Sequence, residues 1–97
     1  MRFATNDAGK GWDALCQQAP GNTHSAWLQM RTNPRPPADS RHTRLRGEFS
    51  TRLVEGRDLE QWQIEVTGGG RIWYAIDDSR RTVWVTHAAA RHPKATE

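Results

Sequence analysis

Four residues in the second half of the 97-residue chain have side chains that can act together on a phosphodiester: Gln63, Glu65, Arg71 and Trp73. A carboxylate can take a proton, a guanidinium can neutralise the charge that builds on phosphorus, and an indole can stack on a base. Arg91 and His92 add a second guanidinium and a titrating imidazole just past the last apolar-alternating stretch. Such a set suits RNA cleavage, with Glu65 or His92 taking the 2′-hydroxyl proton and the two arginines stabilising the phosphorane. A general base supplies about 10²–10⁴-fold and a charge clamp a comparable factor, so neither suffices alone. Trp73 or Trp84 offers a stacking surface worth roughly 1–3 kcal/mol. The same residues also fit a plainer account, a solvated Glu–Arg cross-strand pair worth about 0.2–1 kcal/mol.

Strands must position this set. Residues 61–88 alternate apolar and polar side chains, broken by Gly68-Gly69-Gly70 and by Asp77-Asp78-Ser79-Arg80-Arg81. Period-two alternation between such turns predicts an antiparallel meander with one buried face. Parity puts Trp62, Ile64, Val66, Ile72, Tyr74, Ile76, Val83 and Val85 on the core side. Gln63, Glu65, Arg71, Trp73, Trp84 and Thr86 fall on the other. Upstream, residues 49–54 read as a further strand, with Phe49 and Leu53 inward.

The first third reads as two helices. Asp7 is placed to cap one over residues 8–19, where Trp12, Leu15, Cys16 and Ala19 form an apolar stripe. Gly9 and Gly11 each weaken it by up to about 1 kcal/mol relative to Ala. After Pro20-Gly21, Asn22 or Thr23 caps a second helix with Ala26, Trp27 and Met30 inward, stopped at Thr32-Asn33-Pro34. Residues 33–43 form a Pro-rich basic loop leading to Arg44 and Arg46, a candidate phosphate-facing edge or simply a solvated loop. The expectation is one α+β domain over residues 1–97: two N-terminal helices packed on an antiparallel sheet of about four strands.

Composition narrows the classes. Hydrophobic residues make up 35% of the chain, so the core is modest and the five Trp must supply much of it. The net charge of +3 comes from a set of cations that is almost all arginine, the residue suited to planar recognition of phosphate or carboxylate. Arg-rich coding would give the same bias. The single Cys16 excludes an internal disulfide and a cysteine metal cluster, and the four His lack paired ligand spacing. No metal and no cofactor are expected. Without a membrane-length apolar run or a signal-peptide pattern, a cytoplasmic setting follows.

The ordered combination of helix, helix, basic loop, Arg44-Leu45-Arg46-Gly47, strand, glycine turn, Arg71-Ile72-Trp73-Tyr74, Asp77-Asp78 turn, Val83-Trp84-Val85-Thr86-His87 and Arg91 resembles the RelE/ParE superfamily of bacterial toxins. The resemblance runs from about residue 8 to residue 94. It implies the toxin of a type II toxin–antitoxin pair, a ribosome-dependent endoribonuclease that cuts mRNA in the decoding site and is neutralised by a cognate antitoxin. By position it implies phosphate contacts for Arg71 and Arg91 and a catalytic strand at Gln63 and Glu65. Arg44 and Arg46 would approach RNA backbone, with Lys94 adding to the basic tail. Many such toxins end in a tyrosine or a His-Tyr pair; here His92 takes that place. Two other readings fit the same fold: a ParE-like non-enzymatic inhibitor of DNA gyrase, and an inactive antitoxin-binding domain.

Overall fold

The computed structural model describes residues 1–91, so the roles expected of His92 and Lys94 lie outside the described residues. The chain runs β1 (Arg2–Phe3), α1 (Asn6–Gln18), α2 (Pro20–Thr32), β2 (His42–Arg44), a 3₁₀ turn (Gly47–Phe49), β3 (Thr51–Val54), β4 (Arg57–Glu65), β5 (Arg71–Asp77) and β6 (Thr82–Ala89). The class is α+β, with both helices packed on one face of a sheet. The sheet is larger than expected and not purely antiparallel. It has six strands among the described residues, and β1 runs parallel to β6.

Thr5, not Asp7, caps α1: its hydroxyl accepts from Ala8 N at 3.0 Å. Asp7 instead sits in the first turn, where the helix dipole favours a negative charge. α2 opens directly at Pro20, which has no N–H to leave unsatisfied. Asn22 and Thr23 therefore lie inside the helix and tie it to its neighbours. Asn22 donates to Val66 O at 3.0 Å and Thr23 to Leu15 O at 3.1 Å.

The buried stripe of α1 is Ala8 and Leu15, flanked by Trp12 and Ala19; Cys16 is exposed, contrary to its expected place in the core. Gly11 explains the rotation. A Cβ there would lie 1.8 Å from the Ala88 carbonyl oxygen, so α1 rests directly on the backbone of β6. Leu15, Ala26 and Met30 close over Trp62, Ile64, Val66, Ile72, Tyr74, Ile76 and Val85, as parity predicts, with Val83 half-buried. Burying each large side chain contributes about 1.5–3 kcal/mol. A one-residue slip would turn the whole set to solvent, which fixes the register.

β4 acts as a shared rail. β2 pairs with its second half (Arg44 opposite Trp62) and β3 with its first (Thr51 opposite Glu60). Between them, residues 45–50 leave the sheet opposite Gln61: Leu45 N donates to Gln61 O, and Gln61 N to Ser50 O, both at 2.9 Å. Gly47, at φ +64°, supplies the left-handed turn this excursion needs. Phe49 is thus outside any strand, and Leu53 is 65% exposed, not inward. Val54 points in instead, joining Leu59, Ala75 and Trp84 in a small second cluster on the sheet face away from the helices.

Candidate functional site

Three ranks of residues cross β4, β5 and β6 on that second face. Register sets Glu65, Arg71 and Ala89 in one, Gln63, Trp73 and His87 in the next, and Gln61, Ala75 and Trp84 in the third. The third rank is buried under Val54 and Leu59. The first two are half-buried and open, so the candidate site lies there.

A β-bulge makes the second rank. Opposite Trp73 and Tyr74, β6 supplies His87 and Val85, leaving Thr86 as the extra residue. Strict alternation would send His87 to the helix side with Val83 and Val85. With the bulge, Thr86 and His87 both face the open side. The Thr86 hydroxyl donates to Gln61 Oε1, and the His87 ring lies 5.2 Å from that of Trp73. Bulges commonly re-aim a side chain in this way.

Gln63 is the hub of the polar contacts. Its Oε1 accepts from Trp73 Nε1 at 2.8 Å and, at the long distance of 3.5 Å, from Arg71 Nη1. Phe49, carried by the excursion, puts its ring 5.2 Å from Trp73, and Gln61 Nε2 donates to Phe49 O at 2.9 Å. Burial lowers the His87 pKa from its ordinary value of 6.5, and the nearby positive charges of Arg71 and Arg52 lower it further. The imidazole is therefore neutral at pH 7 and able to accept a proton. Arg71 and His87 are diagonal neighbours across β5 and β6, about 7–8 Å apart at Cα, near enough for the guanidinium charge to act on the ring.

The expected residues divide. Gln63, Glu65, Arg71 and Trp73 share the open face, with Glu65 directly opposite Arg71. Arg91 is exposed, two residues past the Ala89 that pairs with Arg71. Trp84 is not a stacking surface: it is only 6% exposed in the second cluster, because the β3–β4 hairpin folds over it. Arg44 pairs with Trp62 and so lies on the helix side of the sheet, near Glu60, whose pKa is lowered chiefly by the hydrogen bond from Arg35 and slightly by the Arg44 charge. Arg46 is exposed at the start of the 3₁₀ turn. His87, Arg52 and Phe49 were not assigned to the site from sequence, Phe49 being expected inward on a strand, since a bulge and a loop excursion position His87 and Phe49. The only sequence signal was a polar Thr-His pair at the end of an otherwise alternating strand.

Among the described residues, no three His, Cys, Asp or Glu side chains are grouped to hold a metal ion. No helix among them is long and apolar enough to cross a membrane. Across protein-family models, curated proteins and solved structures, nothing matches this chain.

Proposed function

We propose that the chain is a RelE-type toxin, an endoribonuclease that cuts mRNA on the ribosome in the cytoplasm and is held inactive by a cognate antitoxin. The observation that supports this reading is the bulge at Thr86, which sets a neutral imidazole beside a guanidinium and an indole on an open sheet face. His87 takes the proton of the ribose 2′-hydroxyl, and the freed oxygen attacks the adjacent phosphorus. Arg71 neutralises the phosphorane, with Arg91 as a second guanidinium at the same end. The 5′-oxygen leaves and takes a proton from solvent, giving a cyclic phosphate and a 5′-hydroxyl. Trp73 and Phe49 stack a neighbouring base, which costs little sequence selectivity because every base has a π-face. His87 thus takes the role that sequence gave to Glu65 or His92, while Gln63, whose Oε1 accepts from Arg71 Nη1, orients the guanidinium.

Purified ribosomes carrying a defined mRNA test the reading. The wild-type chain should cut within the A-site codon and leave cyclic phosphate ends, and Arg71→Ala should lower the rate by about 10²-fold or more. Intact message with active ribosomes would sink it. Inhibition of gyrase supercoiling with RNA left whole would assign the ParE-like role instead.

A further inference from the structure

At the far end of β5 from Arg71, a cleft of about 530 Å³ opens between α2 and the β5–β6 turn. Six residues of strand separate the two places, roughly 20 Å. Its volume is that of a small-molecule site. Trp27, Met30, Ile76 and Val83 give it an apolar wall, and Arg31 and Arg81 stand among its lining residues.

The charges in and behind the cleft do not cancel. Asp77 and Asp78 also line it, but both are already engaged by arginines outside the lining. Asp78 is gripped by Arg35 at 2.9 and 2.7 Å, and Arg35 also holds Glu60 at 2.7 Å. Asp77 accepts from Arg57 at 3.3 Å and from Ser79 at 2.9 Å, with Arg80 3.9 Å away. Among the described residues, neither Arg31 nor Arg81 has a carboxylate within 4.0 Å. Three carboxylates thus face five guanidiniums, and the two without an acid are those of the cleft. Arg31 lies over the Trp27 ring at 5.2 Å. Arg81 is held at φ +49°, a left-handed conformation that costs a non-glycine residue energy and that tends to collect at functional sites.

We propose that this cleft binds a small aromatic anion, its ring against Trp27, Met30, Ile76 and Val83 and its acidic group between Arg31 and Arg81. The site is independent of the RNA-cleaving face and of that reading. Its selectivity has two parts. The apolar wall favours an aromatic anion over a bare inorganic one, and the surplus of guanidinium charge disfavours a cation of the same shape.

Naphthoate titrated into the full chain and followed by NMR tests this. The Trp27 indole N–H and the Arg31 and Arg81 amides should shift together and saturate. Inorganic phosphate should bind far more weakly and without moving the Trp27 indole N–H, and naphthylmethylamine should leave all three in place. Arg31→Gln and Arg81→Gly should each weaken naphthoate by about tenfold, the size expected for losing one charge-assisted contact. Arg81→Gly relieves the left-handed strain, so folding is retained, and amide spectra report this directly. Arg71→Ala should have no effect. Equal binding of the amine, shifts that never saturate, or affinity unchanged in both variants would overturn the proposal.

Discussion

Trp73 and His87 stand directly opposite each other on β5 and β6, their rings 5.2 Å apart, although alternation along β6 would put them on opposite faces of the sheet. The extra residue at Thr86 makes the difference, and the proposed chemistry depends on it. His87→Gln keeps a polar side chain of similar reach and removes the base. It should lower cleavage by about 10²–10⁴-fold while thermal unfolding stays close to wild type.

The pH profile of cleavage follows from the same contacts. Burial together with Arg71 and Arg52 lowers the His87 pKa below 6.5, so the rate should climb through acid pH and be level by neutrality. Removing the Arg52 charge relaxes one of these causes. In Arg52→Gln the His87 ring should titrate at higher pH by NMR, and the inflection of the rate profile should move the same way. An unmoved titration would separate Arg52 from the site.

Trp73 and Trp84 should behave oppositely. Trp73→Ala should weaken binding of an RNA oligonucleotide by about 1–3 kcal/mol. Trp84→Ala should leave folded-state RNA affinity alone and lower stability in urea by about 3–5 kcal/mol, because it empties the second cluster.

The two glycines of α1 give a sharper structural test. At Gly9 a Cβ would stand 3.8 Å from the Phe3 ring, ordinary contact, so Gly9→Ala should stabilise by up to about 1 kcal/mol through helix propensity. At Gly11 the new methyl would overlap the Ala88 carbonyl, and α1 would have to lift from β6. Gly11→Ala should destabilise by about 1–3 kcal/mol or more. Urea unfolding of the pair measures both signs.

Acid sensitivity should have an identifiable source in His42. This buried ring contacts the Tyr74 hydroxyl, which itself donates to Pro34 O at 2.7 Å, so the imidazole N–H is the donor to Tyr74. Burial lowers the His42 pKa from 6.5, only partly opposed by Asp39. Below pH 6.5 the unfolded chain binds a proton that the folded chain resists, so stability is full above that value and falls as pH drops beneath it. His42→Gln keeps an N–H for Tyr74 without a titrating group. Its stability should fall less steeply between pH 6.5 and 5.

Much of this architecture was legible because hydrophobic burial enforces period. The core side of β4 and β5 could be read from Trp62 to Ile76, as could two helices, the first expected over residues 8–19 and found at Asn6–Gln18, the second ending at Thr32. What escaped depends on contacts distant in sequence. β1 has two residues, too few to carry a pattern. Cys16 faces solvent because Gly11 turns α1 against a strand more than seventy residues later. Trp84 obeys parity, yet its exposure is decided by the β3–β4 hairpin curling over it. Of the site, the residues on β4 and β5 could be found by counting. His87 could not, since one inserted residue reverses the count.

The borders of the sheet carry a further consequence. On one side it stops at a strand of two residues, and on the other the outermost strand is cut by the detour at residues 45–50. Among the described residues, neither margin offers a long straight ladder of unpaired amides on which a foreign chain could align. A second strand laid along either border would therefore meet only a short run of backbone partners before the path bends away.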